Sequence, residues 1–314
     1  MPLSQLRKMI WFFDPIQHEK DDIKKELRAL TDWSSKKRIQ IVPFYALTPR
    51  TISWIGLGMA PDLHQFVPVI EEKMNSMLSE MIGISIASPV VKVFQQKGLR
   101  EIAQAIKEYC HGEQFGSSLI FASSKSTFEK LYIGSFSETV LFSLDMPSLV
   151  VPIQGRELNL ENPVLVPFDL TEENFHSIVQ FFKKRPPLPH SKVVIYYKAT
   201  RPDEVFVQTG VHFAGGGWLS MEEYHKNQVA KCQAECDRLK QEIEAFNFEV
   251  STVVDGDFGS VEEGVREYCA KKPVSATILF TTATPASAVL LGSLSRQLLR
   301  HPPSPLWILH KVDI

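Results

Sequence analysis

Cysteine is scarce: Cys110, Cys232, Cys236 and Cys269 are the only four in 314 residues. So thin a scatter is not the dense disulfide framework of a small secreted domain. An excess of charge of one sign is also missing. Lys plus Arg number 34 and Asp plus Glu 36, a formal net charge of −2, so the chain lacks the global basic surplus of a nucleic-acid binder. Lys36-Lys37-Arg38 and Lys183-Lys184-Arg185 are short basic clusters of the kind that solvate helix ends. Long apolar runs are missing too. The run Met9–Phe13 after Lys8 spans five residues, too short for the core of a signal peptide, and no stretch approaches the ~20 apolar residues of a membrane helix. The expectation is a cytoplasmic protein with no membrane and no nucleic-acid partner. Catalytic patterns are absent as well. There is no Gly-x4-Gly-Lys-Ser/Thr loop, no Gly-x-Ser-x-Gly elbow, no His-Glu-x-x-His and no Cys-x2-Cys. No catalytic residue and no metal site is therefore expected.

What is present is a repeat. Met9–Phe13 ends at Asp14, and Pro163–Phe168 ends at Asp169, 155 residues later. Gly134-Ser135-Phe136-Ser137 matches Gly292-Ser293-Leu294-Ser295, 158 residues apart, and in each half a proline (Pro147, Pro305) follows that glycine by 13 residues. An apolar run follows each proline, Leu149–Val151 and Leu306–Leu309. Matching spacing over such a length marks two similar units. At about 100–150 residues per domain the length also suggests two. We place the first unit at 1–153, a polar linker at 154–162 and the second unit at 163–314.

Within each unit the pattern alternates strand and helix. After the first strand come helical segments at Asp21–Trp33 and Glu172–Lys184. Second strands follow at Arg38–Tyr45 and Lys192–Lys198, and long helices at about Asp62–Met81 and Ser220–Phe246. In the latter, Cys232, Cys236, Leu239, Ile243 and Phe246 form one apolar stripe, which makes the cysteines core residues rather than metal ligands alongside His225. Ser220 and Glu223 read as a capping box. Third strands fall near Val90–Phe94 and Glu249–Val254, helices near Leu99–Cys110 and Ser260–Cys269, and fourth strands at Leu119–Phe121 and Ile278–Phe280. Continuous apolar strands alternating with helices indicate α/β architecture, two doubly wound open parallel five-stranded sheets, one per half. Ligands bind such sheets at the carboxyl ends of the strands. Asp14, Asp169 and the two Gly-Ser turns all fall at that edge.

This ordered set, found twice, resembles a tandem universal stress protein. The resemblance implies an open five-stranded parallel sheet per unit (adenine-nucleotide α-hydrolase-like). It also implies that the units pair through their fifth strands as an intrachain pseudo-dimer. Some family members bind ATP through Gly-x2-Gly-x9-Gly-Ser/Thr, where glycine lets backbone approach phosphate. Here no glycine lies between Gly116 and Gly134, or between Gly264 and Gly292. Only Gly134-Ser135 and Gly292-Ser293 survive.

The candidate binding residues are accordingly Asp14, Gly134, Ser135 and Ser137 in the first half, and Asp169, Thr281, Gly292, Ser293, Ser295 and Arg296 in the second. The resemblance implies that the two aspartates contact adenosine, while a bare residue reading makes them caps of the next turn. Ser135 with Glu138 fits a capping box, which occupies the donors a phosphate would use. In the second half Arg296 stands where Glu138 does, which suits an anion. The expectation is a non-enzymatic stress-adaptation protein without a fixed cofactor, binding a small-molecule ligand or a protein partner. One alternative is an ATP- or AMP-sensing regulator with nucleotide in the second half, and a further one is a weak ATPase.

Overall fold

The computed structural model describes residues 7–15, 34–35, 39–49, 62–79, 86–95, 98–122, 140–141, 143–152, 162–184, 192–199, 221–257, 259–281, 297–299 and 302–310. The expected helix Asp21–Trp33, both Gly-Ser turns and the Ser220–Glu223 capping box lie outside these residues or their described side chains.

In the first half the strands are β1 (Arg7–Phe12), β2 (Ile39–Leu47), β3 (Val90–Val93), β4 (Phe115–Ala122) and β5 (Ser148–Pro152). Helix α1 (Val67–Leu78) follows a short 3-10 turn at Leu63–Phe66, whose Asp62 cap accepts from His64 N. Helix α2 spans Leu99–Gly112. In the second half are β6 (Val164–Pro167), α3 (Glu172–Lys183), β7 (Lys192–Lys198), α4 (Met221–Glu244), β8 (Glu249–Asp255), α5 (Val261–Lys271), β9 (Ala276–Thr281) and β10 (Leu306–His310). Helix starts follow local chemistry. The Thr171 hydroxyl accepts from Asn174 N at the head of α3, and Ser260 with Glu263 forms a reciprocal capping box at the head of α5.

The strands run β3-β2-β1-β4-β5-β10-β9-β6-β7-β8 in one ten-stranded sheet. Pairing is parallel throughout each half and antiparallel only between β5 and β10, with Leu306 opposite Val150, Trp307 opposite Leu149 and Ile308 opposite Ser148. Each half therefore repeats the order 3-2-1-4-5, and the two five-stranded parallel sheets join edge to edge.

Alternate residues of each strand feed opposite faces, as the pleat requires. From β1, Met9 and Trp11 enter a core with Met74 and Leu78 of α1, while Ile10 enters another with Ile102, Ile106 and Cys110 of α2. From β7, Val193 and Ile195 pack with Phe175 of α3 and Leu239 of α4, while Val194 and Tyr196 pack with Val265 of α5. Helices thus cover both faces of both halves, and strands buried on two sides read as unbroken apolar runs. Among the described residues, no helix is long and apolar enough to cross a membrane.

Candidate functional site

Strand order fixes where a cleft opens. In each half the chain leaves the sheet in opposite directions on either side of the first strand. The switch points are therefore β1/β4 and β6/β9, at the carboxyl ends. Because β5 and β10 are antiparallel, the two carboxyl ends face opposite edges of the joined sheet.

Asp14 stands two residues beyond β1, partly buried, where Phe13 N donates to Phe44 O at 3.0 Å and carries the β1–β2 ladder past the strand. Asp169 stands two residues beyond Pro167 in the second half. Its Oδ1 accepts from Thr171 N at 2.9 Å and from Thr171 Oγ1 at 2.7 Å. Thr171 in turn caps α3, so the aspartate anchors the turn that starts this helix. Between them Leu170 has φ of 62°, a left-handed conformation that costs a non-glycine residue roughly 1–2 kcal/mol. This strained residue lies in the loop at the switch point. Thr281 ends β9, the neighbour of β6, at the same edge as Asp169. Gly134, Ser135, Ser137, Gly292, Ser293, Ser295 and Arg296 lie outside the described residues.

A polar group that sequence reasoning missed lies at the ends of β7 and β8. Lys198 and Asp255 are register partners. Lys198 is only 5% exposed, and its Nζ donates to Asp255 Oδ2 at 2.8 Å. The Tyr196 hydroxyl donates to the same oxygen at 2.9 Å, and Asp257 N donates to Oδ1 at 3.0 Å. Burial opposes ionisation of Asp255, but the Lys198, Asp257 and Tyr196 hydrogen bonds outweigh it and hold its carboxyl below the ordinary range. Burial, then the bond to Asp255, pushes the Tyr196 hydroxyl well up, so it stays a donor. The signal was a charged residue closing an apolar strand, Lys198 in one run and Asp255 just after another. Every member of the group faces another, so the arrangement ties strand ends together.

The cysteines behave as core. Burial pushes the Cys110 and Cys236 thiols up to about 12, far from the thiolate that ligation or attack needs. Among the described residues no group of His, Cys, Asp and Glu could hold a metal ion.

No protein-family model matches the chain, and no curated protein matches it with significance. Solved structures do. A universal stress protein from Archaeoglobus fulgidus DSM 4304 superposes with a TM-score of 0.60 at 17% identity, covering 98% of this chain and 99% of the other. A functionally unknown protein from Pseudomonas aeruginosa PAO1 gives a TM-score of 0.60 at 13% identity, covering 99% and 95%. Over nearly its whole length, then, the chain has the fold seen in a universal stress protein.

Proposed function

We propose that the chain is a tandem universal-stress-type protein, with units at 1–153 and 163–314 joined by 154–162. It acts in the cytoplasm in stress adaptation by binding a small ligand or a partner protein, and it catalyses no reaction. The observation that carries this reading is the doubled 3-2-1-4-5 strand order with an aspartate two residues beyond the first strand of each five. The likeness to the Archaeoglobus protein supports it. The antiparallel β5–β10 pair supports an intrachain pseudo-dimer, in which one chain supplies both partners. The glycine-free spans between Gly116 and Gly134 and between Gly264 and Gly292 argue against a triphosphate cradle.

Mass spectrometry of small molecules released from the denatured full-length protein, with calorimetric titration of ATP and AMP, tests the reading. Recovery of no stoichiometric nucleotide, and no saturable heat with either, is expected. A nucleotide recovered at one per chain or more would overturn the degenerate-loop reading in favour of nucleotide sensing.

A further inference from the structure

The halves are built alike but differ at one place beside their seam. Glu108-Tyr109-Cys110 near the end of α2 recurs as Glu267-Tyr268-Cys269 near the end of α5, 159 residues on. Both cysteines are buried. Ser118 N donates to Pro147 O at 2.9 Å, and Thr277 N to Pro305 O at 2.8 Å. The approaches to β5 and β10 therefore correspond, and Asp145, two residues before Pro147, falls at Pro303, two before Pro305.

In the first half charged side chains span the gap between α2 and this approach. Asp145 Oδ2 lies 3.1 Å from Lys107 Nζ. Its Oδ1 lies 2.8 Å from His111 Nε2, a polar contact outside hydrogen-bond geometry. In the second half the residues at these places are Arg266, Ala270 and Pro303. Arg266 turns instead to Glu262, at 2.9 Å, and to Gln297 O, at 3.1 Å. A carboxylate and an imidazole have given way to a pyrrolidine ring and a methyl group.

A cavity of about 310 Å³ opens there, with Ala270 and Pro303 in its wall. Pro273, Val274 and Pro305 extend the apolar side, and Val151 and Pro152 line it from the first half where β5 ends. Proline walls are rigid and offer no N–H. Ser275 and Ser304 also line the cavity, but their hydroxyls are engaged with Pro163 O and Thr277 Oγ1. The charged lining residues are Lys271 and Lys272, with no acid among them. Lys271 pairs with Glu267 at 3.2 Å, whereas Lys272 makes no ion pair among the described residues. At the position of Lys272 the first half has Glu113, paired with Lys8 at 3.7 Å. A lysine at a helix C-terminus suits the dipole. The dipole does not account for the lost acid or the space.

We propose that this cavity binds a small organic anion with a flat apolar body. The body lies between the proline rings and the charge faces Lys271 and Lys272. The volume sits at the small end of ligand pockets. Burial of the apolar body supplies affinity, and Lys272, which has no acid paired to it among the described residues, selects the sign of the ligand.

Fluorescence titration of the full-length protein with anilinonaphthalene sulfonate, an aromatic anion, tests this. One saturable site is expected. Ala270→Trp, which fills the cavity, abolishes it. Lys272→Glu weakens it by at least about three-fold with no change in the unfolding midpoint, the scale of an exposed charge pair. Absence of saturable binding, or binding that both variants leave unchanged, overturns the proposal. Loss with Ala270→Trp but not with Lys272→Glu overturns the anionic class. Should Ala270→Trp fail to fold, exposed Lys272→Glu keeps the test decisive, because unchanged binding then refutes the assignment.

Discussion

Gly264 shows how far a single residue can reverse an intrinsic preference. It sits inside α5, where Ala is ordinarily favoured over Gly by about 1 kcal/mol. Here a Cβ would lie inside contact distance of the Tyr196 hydroxyl and 2.5 Å from Lys198 Cδ. The helix presses onto β7 so closely because it has no side chain at that point. Gly264→Ala is therefore expected to lose roughly 1–3 kcal/mol, the cost of overpacking a tight core, read as a lower urea midpoint. A stabilised variant would mean that α5 does not approach β7 this closely. Nothing in the local sequence announces this contact. A lone glycine within a helical pattern looks like weak propensity, and its reason lies on a strand some 65 residues away in the chain. The start of α5, by contrast, was read at Ser260 from the helical pattern, and the structure adds the capping box that Ser260 makes with Glu263 there.

Elements were legible where periodicity is strong. Strand β7 runs Lys192–Lys198 as its apolar run indicates, and the α4 stripe of Cys232, Cys236, Leu239 and Ile243 is buried. Strand β4 was read as Leu119–Phe121 but begins at Phe115, because Gly116 and Ser117 carry little apolar signal while their backbone still joins the ladder. The tie between the ends of β7 and β8 was not legible, since charge at a strand end ordinarily means solvent. Its electrostatics make a prediction. The Asp255 carboxyl is held below its unfolded value, so the pair stabilises the fold above about pH 4, the ordinary carboxylate range, and that share is lost as pH falls through the depressed value. Asp255→Asn should lower the urea midpoint at pH 7, and the gap to the wild type should narrow progressively below about pH 4. A gap that stays constant down to pH 2 would mean that the carboxylate contributes no charge-dependent stability.

At the scale of the molecule the seam decides behaviour. Ile120, Leu141 and Val150 of the first half share one buried cluster with Leu165, Leu279, Leu306 and Ile308 of the second. On the opposite face Trp307, the register partner of Leu149, packs against the cluster that holds Leu149 and Val151. A buried cluster shared across the seam ties the halves, so they are expected to unfold together rather than as beads. The repeat made two similar units legible, and their pairing through the fifth strands was expected only from the family resemblance, because edge pairing depends on the apolar character of both faces of β5 and β10 together. A chain cut after residue 153 would bare the edge of Ser148–Pro152, with Leu149, Val150 and Val151 on its two faces. An unpaired apolar edge is a template for another strand. The available partner of matching shape is the same edge of a second copy, turned antiparallel about a two-fold axis as β10 now lies against β5. Residues 1–153 alone should therefore elute as a dimer in size-exclusion chromatography with light scattering. Replacing Val150, whose side chain enters the shared cluster, with Asp should shift that species to monomer or aggregate. A folded, monomeric 1–153 would show that the seam is not needed to cover the edge, and would remove the ground for treating the two halves as one cooperative body.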